Sequence, residues 1–190
     1  MKGKADKARS NEARLGSASF RKDDVLAVYP GSFDPPTMGH LNLVSRAAAV
    51  FDRVVVAVAE STSKRYVFST EERVELWRKI MPAGLQNVEI DTFHGLLVNY
   101  VEQKGGKILL RGLRNTTDFD YEIAMTNTNR AMKPEVETIF MMTEGCFAHL
   151  SSSLIKEIVL LGGSVKGMVP PLIEAELKKR IGPGAKESKK

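Results

Sequence analysis

The chain has 190 residues, of which 43% are apolar and 27% charged, the proportions of an ordinary folded domain. This excludes collagen-like, low-complexity and wholly disordered chains, and no apolar run approaches the roughly 18–20 residues of a membrane span. The net charge of +5 belongs to the ends: residues 1–24 carry seven Lys/Arg against four acids and residues 182–190 three lysines against one acid, leaving 18 of each sign in residues 25–181. A nucleic-acid binder gathers its excess charge on the folded domain, so neither nucleic acid nor membrane is an expected partner. The expected organisation is a disordered basic extension over 1–24, one domain over 25–181 and a flexible basic tail over 182–190. Cys146 is the single cysteine, so no internal disulfide forms, and residues 1–24 hold no apolar signal core. A cytoplasmic setting is the expectation.

Val25–Tyr29 is a short apolar run stopped by Pro30-Gly31, a buried strand and then a loop. From Gly39 to about Phe51, Leu41, Val44, Ala47 and Ala48 mark a helical face. Val54–Ala59 is a continuous, mostly β-branched run and reads as a second buried strand. Ser69 with Glu72 forms a capping box that opens a helix through Trp77 and Ile80. A third strand follows over 88–93, a short helix over 96–103 stopped by Gly105-Gly106, and a fourth strand over 107–111. Residues 118–132 read as a helix and 136–142 as a fifth strand. Two more helices follow, one over 151–161 ended by Gly162-Gly163 and one opened by Pro170-Pro171. Met125, Met132, Met141 and Met142 read as core filler.

Alternating strands and helices require parallel strands joined by right-handed helical crossovers. The expected fold is therefore α/β: a doubly wound, five-stranded parallel sheet with helices on both faces. Ligands of such folds lie beyond the carboxyl ends of the strands, so functional side chains are expected just after residues 29, 59, 93, 111 and 142.

Residues suited to phosphate occupy four of these places. After the first strand, Gly31 and Ser32 offer close backbone approach and a hydroxyl, and Gly39-His40 opens a helix whose free amides suit an anion. His40 on that first turn can donate to a phosphate oxygen. The loop matches neither GxxxxGK[ST] nor GxGxxG. After the second strand comes Lys64. After the fourth, Arg111 and Arg114 flank Gly112 and Leu113 and offer bidentate contacts. After the fifth, Ser151, Ser152 and Ser153 open a helix, as N-caps or as a second anion cradle. Together these features imply a site for a polyphosphate such as a nucleotide. His94 and His149 read as structural polar residues. No Cys/His/Asp cluster has zinc-ligand spacing, and Cys146 has no evident base beside it in sequence.

Over about residues 25–178 the chain resembles the bacterial phosphopantetheine adenylyltransferases. Ser32-Phe33-Asp34-Pro35 with Thr37-x-Gly39-His40 is similar to the [T/H]xGH signature of the nucleotidyltransferase superfamily, with the threonine of adenylyltransferases where cytidylyltransferases have histidine. Ser63-Lys64, Arg111 to Arg114, Asp118 to Glu122 and Leu150 to Ser153 follow at the family's spacing. The resemblance implies transfer of AMP from ATP to 4′-phosphopantetheine by direct in-line attack, giving dephospho-coenzyme A and pyrophosphate. It implies His40 as transition-state stabiliser, with Lys64 and Arg111 also catalytic. Ser32, Lys64, Leu97 and Arg111 would hold the acceptor. Ser32, Phe33, His40, Gly112, Leu113, Arg114 and Glu122 would hold ATP, with Phe147, Ala148, His149, Leu150 and the three serines Ser151, Ser152 and Ser153. It further implies Mg²⁺ carried on substrate phosphates and water without a protein cage, a homohexamer to which residues 118–130 contribute, and coenzyme A as a feedback ligand. Two rivals remain at this point: a superfamily relative with another acceptor, and a non-enzymatic nucleotide- or nucleic-acid-binding module using the tails.

Overall fold

The computed structural model of the protein describes residues 24–60 and 65–185. Lys64, residues 1–23 of the N-terminal extension and residues 186–190 of the C-terminal tail therefore lie outside the described residues. In chain order the elements are β1 (Leu26–Gly31), α1 (Met38–Ala48), β2 (Arg53–Ala59), α2 (Thr70–Ile80), β3 (Val88–Phe93), α3 (Leu97–Gln103), β4 (Ile108–Leu113), α4 (Thr116–Met132), β5 (Glu137–Met142), a 3₁₀ turn (Gly145–Phe147), α5 (Ser152–Leu160) and α6 (Pro171–Ile181). The five strands form one parallel sheet in the order β3-β2-β1-β4-β5. The chain winds outward from β1 to β3, returns to β4 beside β1, and winds out again. The strand order thus reverses between β1 and β4, where a doubly wound sheet opens a crevice at its carboxyl edge.

Central strands buried on both faces need apolar residues throughout, and β1 and β2 supply them. One face of the sheet carries Tyr29, Val54, Val56, Val58 and Leu110 against Leu43, Val44 and Ala47 of α1 and Trp77 of α2. The opposite face carries Val28, Val55, Ala57 and Leu109 against Val98 and Val101 of α3. A third cluster, with Leu76, Ile155, Val159, Ile173 and Leu177, ties α5 and α6 to α2. The Ser69–Glu72 capping box forms as its sequence predicts, with the Glu72 amide donating to Ser69 Oγ and the Ser69 amide to Glu72 Oε2.

Three expectations are corrected. β1 runs on through Pro30 and Gly31, because both residues stay in register with Ala57 and Val58 of β2. β4 runs on to Leu113, in register with Met142, so Gly112 and Leu113 lie on the strand and not after it. Met125, Met132 and Met142 are exposed, at 40%, 42% and 58%. Met125 and Met132 belong to α4, whose buried residues are Glu122 and Asn129, so much of its apolar surface faces outward. Met141 alone of the four packs against the core. Among the described residues no helix is long and apolar enough to cross a membrane.

Candidate active site

The crevice at the β1/β4 reversal is a cleft of about 650 Å³ whose walls come from the turn after β1, the start of α1, β4, α4 and the segment leading into α5. Its floor is shaped by glycines. Phe33 folds back over β1 with φ of 49° and packs edge-on to Trp77 at 5.1 Å, and a Cβ on Gly31 would lie 2.7 Å from its ring. A Cβ on Gly112 would lie 2.5 Å from Leu43 Cδ1, so α1 can sit this close to β4 only over a glycine.

His40 is held at the third position of α1. Thr37 caps the helix and accepts from the His40 amide (3.2 Å), and the Thr37 amide donates to His40 Nδ1 (3.0 Å). Nδ1 is therefore an acceptor and the ring proton sits on Nε2. Burial, and after it the nearby Arg114 guanidinium, lower the pKa from 6.5 to about 4. The imidazole is neutral and has one donor to offer, Nε2–H. The amides of Gly39, Ser152 and Ser153, in the first turns of α1 and α5, have no acceptor inside their helices. Ser151 spends its hydroxyl on capping α5, accepting from the Leu154 amide (3.1 Å), and Ser152 Oγ donates to the Pro35 carbonyl (2.8 Å).

Three basic residues of the cleft wall, Arg111, Arg114 and Lys156, are paired with carboxylates. Arg111 donates through Nε and Nη2 to both carboxylate oxygens of Glu122, and through Nη1 to the Pro30 carbonyl at 3.1 Å. Arg114 donates twice to Asp118 at 2.8 Å and once to the Leu150 carbonyl at 3.0 Å. Lys156 donates to Asp34 at 2.9 Å. The Arg114 guanidinium, hydrogen-bonded to Asp118, lowers the pKa of that carboxyl. Burial raises the Tyr29 phenol, which stays protonated against the wall of the cleft.

Of the residues expected from the sequence, the cleft gathers Ser32, Phe33, His40, Arg111, Gly112, Arg114, Glu122, Phe147, Leu150 and the three serines. Leu113 is instead buried in the sheet, Ala148 stands off the cleft wall, and His149 is exposed. His94 is also exposed. Leu97 packs beside the α3 core cluster, away from the cleft wall. The sequence reading gave no individual role to Asp34 or Arg73 and did not single out Lys156. Arg73 could have been found by its register: it precedes Leu76, Trp77 and Ile80 by three, four and seven residues, the spacing of the buried stripe.

The cytidylyltransferase-like family pattern matches residues 28–158. A protein of Desulforudis audaxviator named phosphopantetheine adenylyltransferase is 47% identical over 157 residues, which is 83% of this chain and 96% of the relative. One of the same name from Maridesulfovibrio salexigens is 48% identical over 160 residues, 84% of this chain and 96% of the relative. The chain belongs to the phosphopantetheine adenylyltransferase family. Among solved structures it resembles a Plasmodium falciparum nicotinic acid mononucleotide adenylyltransferase complexed with NaAD (TM-score 0.62, 12% identity, 82% of this chain and 95% of that one). That likeness establishes the fold alone. Within the family's shared fold, this cleft holds a neutral His40 and two arginines paired with carboxylates.

Proposed function

We propose that the protein transfers the adenylyl group of ATP to 4′-phosphopantetheine, giving dephospho-coenzyme A and pyrophosphate. The observation that carries the reading is the neutral His40 Nε2–H, fixed by Thr37 at the mouth of α1 in a cleft lined by Arg111, Arg114 and the α5 amides. A phosphate oxygen of the acceptor attacks the α-phosphorus in line, and the bond from that phosphorus to the bridging oxygen breaks as pyrophosphate leaves. His40 is a donor here and not a base, because its second nitrogen is already occupied. It stabilises charge on the α-phosphate, and no covalent enzyme intermediate is needed.

Ser32, Lys64 and Arg111 hold the phosphate of the acceptor, and Leu97, outside the cleft lining, meets its pantetheine arm. Ser32, Phe33, His40, residues 112–114, Glu122 and residues 147–153 hold ATP. Arg111 gives up part of its pairing with Glu122 when the acceptor phosphate arrives. The three carboxylates of the cleft, Asp34, Asp118 and Glu122, each face a basic side chain. That donor set fits Mg²⁺ carried in on the phosphates and waters, whose role is to neutralise phosphate charge. The outward apolar side chains of α4, Phe119 (41% exposed), Tyr121 (66%) and Ile123 (42%), support a homo-oligomer, taken here as the hexamer. Coenzyme A, which shares the acceptor's arm, is a ligand of the same cleft, and the enzyme works in the cytoplasm.

The test is pyrophosphate release from ATP and Mg²⁺ with and without 4′-phosphopantetheine, followed by mass spectrometry of the product. Release that requires the acceptor and yields dephospho-coenzyme A is the expected result. A folded, ATP-binding protein that releases none overturns the acceptor assignment.

A further inference from the structure

The parallel register sets Gly31 of β1 beside Val58 of β2. One residue further on, Ser32 has just left β1 and Ala59 is the last residue of β2, and both carbonyls accept from one side chain of α2. Arg73 is fully buried, at 0% exposure, and its Nη1 donates to Ser32 O (2.6 Å) and Ala59 O (3.0 Å). Its Nε donates to Ser69 O (3.3 Å) and its Nη2 to Thr70 Oγ1 (2.8 Å). The Tyr66 ring lies over the guanidinium, 4.2 Å from Cζ to the centroid. One planar fork thus joins three pieces of chain: the turn after β1, the end of β2, and the segment entering α2. Asp34, 2% exposed, ties the first and third together again by accepting from the Val67 (3.0 Å) and Phe68 (3.0 Å) amides.

A buried cation is retained at a cost, so its position is informative. Two of the residues Arg73 grips, Ser32 and Tyr66, line the cleft, whereas Arg73 itself does not. On the other side of the cleft, His40, Arg114 and the α5 serines make no hydrogen bond to it. We propose that Arg73 is a positioning residue for the acceptor half of the site: it sets Ser32 and the two ends of the β2–α2 connection, and through them the place of the acceptor phosphate. The inference rests on the adenylyltransferase reading. Lysine cannot substitute, because one ammonium does not offer the planar fork that meets Ser32, Ala59, Ser69 and Thr70 while stacking under Tyr66.

The test compares wild type with Arg73→Lys and Arg73→Met, each confirmed folded by its thermal transition. In Arg73→Lys the KM for 4′-phosphopantetheine is expected to rise at least tenfold, while the ATP Kd, measured by calorimetry without acceptor, rises no more than threefold, because Ser32 is one of many ATP contacts. A folded variant with unchanged acceptor KM, or with ATP and acceptor weakened equally, overturns the proposal and leaves Arg73 a purely structural residue. Thr70→Val removes only the acceptor of Nη2. It keeps the test open should both Arg73 variants fail to fold, with an expected rise in acceptor KM of about threefold against no change. Wild-type turnover is measured first, and its absence overturns the reading of the reaction instead. Positioning is then read from amide exchange at Val67 and Phe68. The lysine variant, or Thr70→Val in its place, accelerates exchange there relative to Val55–Val58 of β2 if the fork holds these segments, and leaves it unchanged if it does not.

Discussion

Replacing His40 by glutamine separates the ionisation of this position from its place in the helix cap. A Thr-x-x-Gln sequence forms the same reciprocal box that Thr37 and His40 form now, so α1 keeps its start. What is lost is a titrating group whose pKa falls from 6.5 to about 4 on folding. Between those values the unfolded chain binds a proton that the folded protein refuses, so stability declines as pH drops below about 6.5 and the decline is complete near pH 4. At about 1.36 kcal/mol per pKa unit, the step from pH 7 to pH 5 removes an upper value of about 2 kcal/mol, upper because the ring borders an open cleft. Urea unfolding at pH 7.0 and 5.0 measures this directly. Wild type is expected to lose about 2 kcal/mol more than His40→Gln over that step, since His94, His149 and the carboxylates are common to both and cancel. Parallel pH dependence in the two proteins would refute the assignment of a neutral, desolvated imidazole. The same pKa leaves the ring about 1% protonated at pH 6, so the His40 contribution to kcat stays flat from pH 8 to pH 6.

Removing the donor altogether, His40→Ala is expected to lower kcat at least 100-fold with the ATP Kd within threefold, as titration calorimetry and steady-state rates will measure. Arg111→Met strands Glu122, whose side chain is 11% exposed, and is expected to cost about 3 kcal/mol. Arg111→Met/Glu122→Gln recovers most of that stability in denaturant melts but none of the acceptor affinity; equal melts for single and double variants would contradict the pairing. Gly112→Ala places a Cβ 2.5 Å from Leu43 Cδ1 in a packed core, and a loss of about 1–3 kcal/mol is expected by thermal unfolding. Ile123→Asp on the outward face of α4 is expected to yield a smaller species in sedimentation; an unchanged sedimentation coefficient would free α4 from any role in assembly.

The elements were legible wherever local chemistry alone decides them. The apolar runs of β1 and β2 and the Ser69–Glu72 box formed as read because buried central strands and helix caps leave few alternatives. The ends of β1 and β4 were not legible, because Pro30, Gly31 and Gly112 are poor strand formers that pairing with β2 and β5 holds in place. The Thr37–His40 cap was hidden by a histidine at a position where glutamate or glutamine is the usual signal. The methionines of α4 misled because the helix period locates an apolar stripe but not what covers it. Most of the cleft residues were named from the strand ends and motifs. Their pairing was not: Arg111 with Glu122 and Lys156 with Asp34 join residues 11 and 122 positions apart, and only the folded chain brings them together.

That pairing bears on how a cleft with no excess charge over residues 25–181 can bind a polyanion. Asp34, Asp118 and Glu122 neutralise Lys156, Arg114 and Arg111, so the arginines are held in place by the protein's own carboxylates. An exposed, unpaired arginine would sample many rotamers and lose that freedom on binding. Here the ordering is already done by the carboxylates. A phosphate then competes with Glu122 for donors of Arg111 and with Asp118 for those of Arg114, and wins only where neighbouring amides of α1 and α5 and the His40 Nε2–H add contacts that the carboxylates do not use. A monoanion without the reach to engage several of these donors gains too little to displace the resident pairs. Selectivity for a triphosphate and a phosphorylated acceptor thus follows from local competition between fixed partners, and a long-range field is not required.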